Sequence, residues 1–462
     1  MRSSRYTVRS FGEILMHPPK GQPNQMGWIH VAQEVLTWLG HLRPVVRDLL
    51  HITTAVHHVD RLAPRFSPDD QDTWQYPYRQ IRLEVEVTAP GSWNGVRTEL
   101  ENLLHWLTDD HWELTFTQAE VVTPRQLDWR PERLAGAQEV ALFSGGLDSV
   151  VGAYTRIRER GSPLYLLSSL GTTVRQNFLK KALNALGNSP HRWIGFRHQL
   201  RRAPPGPLAL ETLNRTRGLL FLSAAAAAAD TLGVNLVTTY ECGVGALNLP
   251  MNGAQIGAQN TRAMHPRTLR QLERILTRIL EKELRLDAPF LLNTKGELCR
   301  KAGADLKRLA LASNSCDETE RNKRDLNDHC GLCTSCLLRK ASIHFAIGDE
   351  DPTHYRNHAT RTSGIYQVTA FETQARRFAN LTCYEDLVSC GREIDSAVDF
   401  LMERMTPRPF RQEAEKQLLD LFQRHAAEVR SFYEQRSPHS VPKRSRQHRT
   451  RQAHHDLFSA TR

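Results

Sequence analysis

Between Glu139 and Leu170 the chain reads EVALFSGGLDSVVGAYTRIRERGSPLYLLSSL, and no other stretch limits the fold so tightly. Val140 to Phe143 is a short apolar run ending in a glycine turn. Val150 to Arg160 carries a helical pattern stopped by Gly161, and Leu164 to Leu170 is a second apolar run. Strand, helix and strand in roughly 30 residues make a βαβ unit, which commits the chain to a parallel sheet. The alternation continues downstream. Arg217 to Gly233, with six consecutive alanines from Ala224 to Ala229, predicts a close-packed helix, and Asn235 to Tyr240 predicts a strand. Arg267 to about Arg285 predicts a further helix and Phe290 to Leu292 a short strand.

The turn inside that unit, Ser144-Gly145-Gly146-Leu147-Asp148-Ser149, is a phosphate-binding pattern. Two glycines remove the Cβ atoms that would hold an anion off the backbone, and the first-turn amides and dipole of the following helix attract negative charge. Ser144 and Ser149 add hydroxyl donors, and Asp148 can orient the loop or hold magnesium around a pyrophosphate. The chain contains no Gly-Lys pair, hence no GxxxxGK[ST] loop, and no GxGxxG. Ordinary P-loop and dinucleotide-binding readings lose their support.

Cys330, Cys333 and Cys336 stand at i, i+3 and i+6, with Cys316 fourteen positions before the first of them. Four thiolates aimed at one point give a closed tetrahedral zinc site, whose role is structural because no position is left for a substrate water. An iron–sulfur cluster is the other group such a set takes. Cys242, Cys299, Cys383 and Cys390 are dispersed and read as core residues. Eight cysteines in 462 residues are too sparse for a disulfide scaffold, so metal chemistry in a reducing compartment, the cytoplasm, is expected.

Around this core, residues 1–130 read as a small α+β domain. Ile81 to Val87 and Trp112 to Gln118 alternate with period two, and Gly95 to Leu107 sets Val96, Leu100, Leu103, Leu104 and Leu107 at helical spacing. Thr123 to Gly136 suits a linker. The central domain is expected over 137–345, followed by a helical extension over 346–436, with helix from Phe371 and an amphipathic helix from Phe410 to Tyr433. Gly243 to Pro266 is longer than loops usually run, and such loops are often lids. Residues 437–462 lack an apolar period and read as a disordered tail. The formal charge of +11 is concentrated there: seven basic residues from Arg436 to Arg462 face Asp456 alone, leaving the body nearly neutral. Such a tail could hold nucleic acid electrostatically, or simply solubilise the chain and dock partners. The longest apolar stretch, Leu219 to Ala229, falls well short of the ~20 residues needed to span a bilayer. The N-terminal residues lack the apolar core of a signal peptide, so neither membrane insertion nor secretion is expected.

SGGLDS matches the SGGxDS signature of the PP-loop ATP pyrophosphatases. Paired with Ser315-Cys316 and Cys330-Gly331-Leu332-Cys333-Thr334-Ser335-Cys336, it resembles the 7-cyano-7-deazaguanine synthase (QueC-like) family, whose C-terminal part holds a four-cysteine zinc site. The resemblance covers about residues 137–345, and the long flanks make the chain more similar to the long, QatC-like form found in bacterial antiphage defence. It implies an α/β fold, a doubly wound parallel sheet of the adenine nucleotide alpha hydrolase-like kind, with a zinc knuckle, an N-terminal α+β domain and a helical C-terminal extension. It also implies cleavage of ATP between its α and β phosphates. ATP and magnesium would sit at Ser144, Gly145, Gly146, Leu147, Asp148 and Ser149, and zinc on Cys316, Cys330, Cys333 and Cys336. Arg217, before Gly218, stands where the family has an Arg-Asn pair near the nucleotide. Lys295, after Thr294, resembles its Ser/Thr-Lys, where lysine could neutralise phosphate charge. Asp148, Ser149 and Lys295 are the expected catalytic residues. The family's YPDCR-like substrate segment is not recognisable; Tyr240-Glu241-Cys242-Gly243 stands there instead, with Glu241 expected to bind the guanine-like amidine edge of a substrate.

The resemblance thus implies an ATP-dependent ligase, forming AMP and pyrophosphate, that adenylates a carboxylate such as 7-carboxy-7-deazaguanine for amide or nitrile formation. Altered substrate residues and added domains suit a different nucleophile, such as an amine on a protein partner from a defence system. Two other functions compete. One is ATP-dependent modification of nucleic-acid bases, by thiolation with Cys242 as the candidate relay thiol or by deazaguanine chemistry. The other is a nucleotide-binding scaffold subunit.

Overall fold

Two sheets organise the chain. The computed structural model describes residues 2–9, 13–17, 25–31, 42–63, 78–119, 133–203, 210–211, 215–251, 261–317, 328–356, 362–405, 407–408 and 410–434. Its strands are β1 (Arg2–Val8), β2 (Glu13–His17), β3 (Gln25–Val31), β4 (Arg79–Val87), β5 (His111–Gln118), β6 (Val140–Leu142), β7 (Leu164–Ser169), β8 (His191–Phe196), β9 (His198–Ala203), β10 (Leu236–Thr238) and β11 (Arg285–Asp287). The helices that matter below are α1 (Pro44–Leu62), α2 (Arg97–Thr108), α3 (Leu147–Arg160), α4 (Thr173–Asn184), α5 (Arg217–Leu232), α6 (Pro266–Leu280), α7 (Lys295–Lys301), α8 (Leu306–Leu311), α9 (Thr334–Ile347), α10 (Thr362–Ala379) and α11 (Arg411–Glu434).

The central sheet has the order β11-β10-β6-β7-β8, and every pair in it is parallel. Successive strand residues point to opposite faces, so each face needs its own helical cover. Val140, Tyr165 and Leu167 bury with α5 and α6. Ala141, Leu164 and Leu166 bury on the other side with α3, α4, α7 and α8. The alanine run explains why α5 packs so closely: Ala224 to Ala229 are all buried, and their small side chains let the sheet approach on one side and α1 on the other. The strand order reverses at β6. Ligands bind open α/β sheets in the crevice at such a reversal, beyond the carboxyl ends of the strands, and this is where the SGGLDS turn lies.

The second sheet, ordered β5-β4-β1-β2-β3-β9, is mixed: β1, β4 and β5 run parallel, whereas β2, β3 and β9 pair antiparallel with their neighbours. Its sixth strand comes from beyond the 120–136 region, directly after β8. Residues before and after that region therefore share a sheet as well as a core. A buried ion cluster reinforces the junction. Arg79 Nη2 lies 2.5 Å from Asp60 Oδ1 and 2.6 Å from Asp110 Oδ2, with all three side chains at most 1% exposed. Asp60 Oδ2 also accepts from the Thr216 hydroxyl at 3.1 Å, just ahead of α5. Replacing Arg79 by methionine strands two buried carboxylates, and we expect a loss of about 3–5 kcal/mol in urea unfolding; a loss below about 1 kcal/mol would count against this role.

Several boundaries differ from the sequence expectation, each for a local reason. The helix after SGG starts at Leu147, with Gly146 as its N-cap. Helix α6 ends at Leu280 because Glu281 adopts φ +53°, a left-handed conformation that stops the helix. The last parallel strand is Arg285–Asp287. Phe290 to Leu292 instead form successive turns, Leu291 N–H to Ala288 O and Asn293 N–H to Phe290 O at 3.0 Å each, which bury Phe290 and Leu291 without a strand. The Gly243 to Pro266 connection contains a one-turn helix over Gly243–Leu247. The C-terminal helical region begins at Thr362. The 437–462 tail and most of the expected linker lie outside the described residues. No helix among the described residues is long and apolar enough to cross a membrane.

Candidate functional site

The turn after β6 is shaped by its own side chains and clasped by a distant segment. Gly145 has φ +75°, and a Cβ there would come within 2.6 Å of the Phe178 ring, so both conformation and space demand glycine. Ser144 Oγ accepts from the Gly146 amide at 3.2 Å and lies 3.3 Å from Ser149 Oγ, which donates to Gly146 O at 2.9 Å. From the other side of the chain, Ser315 Oγ accepts the Leu147 amide at 3.2 Å, and the Asn314 amide donates to Gly145 O at 3.0 Å. The turn borders a cavity at the carboxyl ends of β6, β7 and β10, lined by Ser144, Gly146, Asp148, Ser149, Arg217 and Glu241 among others. Two cations face it: Arg217, at the start of α5, and Arg175, whose Nη2 donates to Ser144 O at 2.6 Å.

Behind the turn lies a buried cluster of titratable groups. Lys295 Nζ is 2.6 Å from Asp148 Oδ2, and both side chains are nearly inaccessible. Ligand atoms of Asp148, Glu241 and Cys242 all lie within 4.8 Å of one another. Burial would strip Lys295 of its proton, but the neighbouring acidic groups, Asp148 foremost, outweigh it and hold the ammonium well above its ordinary pKa. Burial and the Asp148 charge push Glu241 up to about 7, with Lys295 pulling the other way. Burial, with Asp148 beside it, likewise raises Cys242 well above the ordinary thiol range. A sulfur relay needs an accessible thiolate, and a fully buried neutral thiol does not supply one. Gly245 leaves the space that Glu241 occupies: a Cβ there would meet Glu241 Oε1 at 2.2 Å.

Lys295 opens α7 and is fixed in place by a capping box. Thr294 Oγ1 accepts the Glu297 amide at 3.1 Å while Glu297 Oε2 accepts the Thr294 amide at 3.0 Å. The C-terminal helix α11 braces this cap, because the Thr294 hydroxyl also donates to Glu428 and Arg424 pairs with Glu297. Glu428 is buried and pushed up to about 7 by that burial.

No family model matches the chain, and no curated protein matches it.

The four cysteines do converge. Cys316, Cys330, Cys333 and Cys336 are buried, their sulfurs lie within 4.8 Å of one another, and Cys330 Sγ is 3.9 Å from Cys336 Sγ. Tetrahedral zinc with bonds of ~2.3 Å sets its sulfurs roughly 3.8 Å apart. The knuckle is built for thiolates: the Leu332 and Cys333 amides donate to Cys330 Sγ at 3.4 and 3.3 Å, and the Cys330 amide donates to Cys316 Sγ at 3.3 Å. Gly331 turns at φ +81°, and Cys333 caps α9, whose N-terminus favours negative charge. Four thiolates this close repel unless a cation holds them, so the donor set fits zinc and the cluster could bind it. The cluster also reaches the turn. The Cys316 amide donates to Asn314 Oδ1 at 2.9 Å, and Asn314 and Ser315 are the residues that clasp Gly145 and Leu147.

Each site residue chosen from the sequence thus falls into one of two neighbouring groups. Ser144, Gly146, Asp148, Ser149, Arg217 and Glu241 border the cavity, with Gly145 and Leu147 in the same turn and Lys295 behind Asp148. The cysteines form the second group. Sequence reasoning missed Arg175, Asn314 and Glu428, and it noted Ser315 in the cysteine motif without its contact to the turn. Arg175 was within reach, since the residues after a parallel strand's carboxyl end face the same crevice as the turn. Glu428 carries no local signal, because its partner Thr294 lies on a distant element.

Proposed function

We propose that the chain is a PP-loop ATP pyrophosphatase of the QueC-like kind, in its long defence-associated form, acting as an AMP- and pyrophosphate-forming ligase on a deazaguanine-type carboxylate. The observation that carries the reading is the SGGLDS turn standing at the reversal point of a parallel sheet, with cationic Arg175 and Arg217 in front of it and the Lys295–Asp148 pair behind it. That arrangement suits a polyphosphate at the turn and charge neutralisation on both sides.

The turn amides, the Ser144 and Ser149 hydroxyls and the two arginines would hold the phosphates of ATP. Asp148 has one oxygen engaged by Lys295, while its Oδ1 is buried without a hydrogen-bond partner among the described residues; that is the atom that would take magnesium. Magnesium bound there would neutralise phosphate charge. In the reaction proposed, a carboxylate oxygen attacks the α-phosphorus, the bond to the bridging oxygen of the β-phosphate breaks, and pyrophosphate leaves. An amine nitrogen then attacks the acyl carbon, AMP leaves, and the nitrogen gives up a proton. Ionised Glu241, at the cavity edge, would pair with the amidine edge of the base. The acceptor is ammonia or an amine of a protein partner. Thiolation is the weaker reading, since its relay thiol would be the buried, neutral Cys242.

Incubation with ATP and 7-carboxy-7-deazaguanine, followed by mass spectrometry, tests the proposal. We expect AMP and pyrophosphate in equal amounts, formed only with the acid, and exchange of labelled pyrophosphate into ATP. ADP as product, or no exchange with any carboxylate, overturns it.

A further inference from the structure

A second cluster lies between α1 and β9, beside Phe221 of α5. His57 and His58 are consecutive on α1 and each is 1% exposed; His198 opens β9, the strand that completes the N-terminal sheet. Consecutive helical side chains leave the axis roughly 100° apart, yet here both rings turn toward His198. Ring centroids lie 5.1 Å apart for His57 and His58, 5.0 Å for His57 and His198, and 5.4 Å for His58 and His198. One ligating nitrogen from each lies within 4.8 Å of the others. Three imidazoles bound at ~2.0–2.1 Å to a tetrahedral ion would place their centroids roughly 5 Å apart.

Packing alone does not account for this. Buried ring nitrogens normally find a partner. Here His57 Nδ1, both nitrogens of His58, and His198 Nδ1 are buried with no hydrogen-bond partner among the described residues. Leaving buried polar groups unpaired is costly, and one ion would engage one nitrogen of each ring. Burial, the neighbouring rings and the charges of Arg61 and Arg217 push His57 well below its ordinary pKa. Burial with His198 and Arg61 lowers His58 to about 3, and burial with Arg217 and Arg61 lowers His198 to about 4. These shifts favour the neutral imidazole, the form that ligates.

We propose that His57, His58 and His198 form a second metal site, taking a divalent transition ion of the zinc class on three imidazoles with one exchangeable position. Neutral imidazole suits zinc and its neighbours, and a three-histidine set leaves a coordination position open, unlike the closed cysteine knuckle. Among the described residues no carboxylate or thiol joins the set. Asp60, two residues beyond His58 on α1, is engaged by Arg79 and Thr216. The ion would thus carry its full charge beside Arg61 and Arg217, so the fourth ligand is an anion: hydroxide, a carboxylate or phosphate. Arg217 also borders the nucleotide-type cavity, as does Phe221, whose ring centroid lies 6.1 Å from that of His198, so the two sites are neighbours. The inference goes beyond the proposed ligase activity and stands whether or not ATP is the substrate.

The test uses the full chain loaded with zinc alone. Elemental analysis should find two equivalents, falling to one in His58→Ala and in His198→Ala while the cysteine site keeps its own. X-ray absorption at the zinc edge of the unaltered chain should show a nitrogen shell at ~2.0–2.1 Å beside the sulfur shell at ~2.3 Å. This readout decides the matter even if a histidine variant fails to fold. In the cobalt-substituted chain, added inorganic phosphate or acetate should alter the visible d–d bands. A sulfur shell alone, or a zinc content unchanged in folded histidine variants, overturns the site. Cobalt bands indifferent to both anions overturn the open anionic position.

Discussion

If the cysteine cluster holds zinc and the turn holds ATP as proposed, replacing Cys336 by serine is expected to release the metal and, with it, most of the nucleotide affinity. Cys336 sits in the first turn of α9, fully buried, with its sulfur 3.9 Å from that of Cys330. A serine oxygen is a poor thiolate substitute, and three cysteines hold zinc far less well than four. The consequence spreads because the segment from Ala310 to Cys316 is clamped twice. Bound zinc would hold Cys316, and Arg339, fully buried on α9, donates to Ser313 Oγ at 2.9 Å and to Ala310 O at 2.7 Å. That segment supplies the Asn314 and Ser315 contacts to Gly145 and Leu147. Free zinc-finger peptides draw about 10–16 kcal/mol from their metal, an upper bound for a knuckle embedded in a large core. Calorimetry should show ATP binding weakened at least tenfold, or about 1.4 kcal/mol, and chelation of the unaltered chain should reproduce it. Hydrogen exchange should rise in residues 310–317. Unchanged nucleotide affinity in a folded, zinc-free knuckle would show that the clasp does not depend on the metal.

How far the sequence reached depended on whether a signal was local. The SGGLDS turn was legible because its parts are contiguous: Gly145 must adopt positive φ, and Ser144 and Ser149 bond within the same turn. The cysteines were legible because metal ligands leave a spacing. The apolar runs Val140 to Phe143 and Asn235 to Tyr240 mark β6 and β10, but each ladder spans only three residues, Val140–Leu142 and Leu236–Thr238. The shortest expected strand, at Phe290 to Leu292, was misplaced because an apolar run can be buried by turns as well as by a ladder. Contacts between distant elements left no trace. Nothing near β9 signals that it completes the N-terminal sheet, nothing near Asp60 signals that it ties Arg79 to Thr216, and nothing near Glu428 signals its bond to Thr294. These contacts show what the flanking segments do physically. Helix α1 and its sheet fix the start of α5, which carries Arg217, and α11 fixes the cap that presents Lys295.

Lys295 is the residue whose loss should change most. In Lys295→Met the side chain keeps its length and loses its charge, leaving buried Asp148 and half-buried Glu241 with ligand atoms within 4.8 Å of each other and without the Lys295 ammonium beside them. Two carboxylates in that position cannot both ionise. Lys295 lowers the Glu241 pKa, so its removal must raise it above its present value of about 7. Three results follow. Acid-dependent AMP formation should fall by at least ~10²–10³, the scale of losing one preorganised electrostatic contact at a reacting phosphate. Since Glu241 must be ionised to pair with an amidine edge, the residual activity should have its pH profile displaced upward. Stability should drop by about 3–5 kcal/mol for the broken buried pair, with a pH dependence of fixed sign. A carboxyl whose folded pKa exceeds its unfolded value of 4.5 binds its proton more tightly when folded, so the contribution of Glu241 to stability falls as pH rises from about 4.5 to about 7 in the unaltered chain, and the difference between variant and unaltered chain isolates it. In Lys295→Met the fall continues to higher pH. Urea titrations across that range, beside rate profiles, separate the two effects, and Lys295→Arg should restore part of the stability through its retained charge. A methionine variant with undiminished AMP formation and an unmoved profile would remove Lys295 and Asp148 from the chemistry altogether.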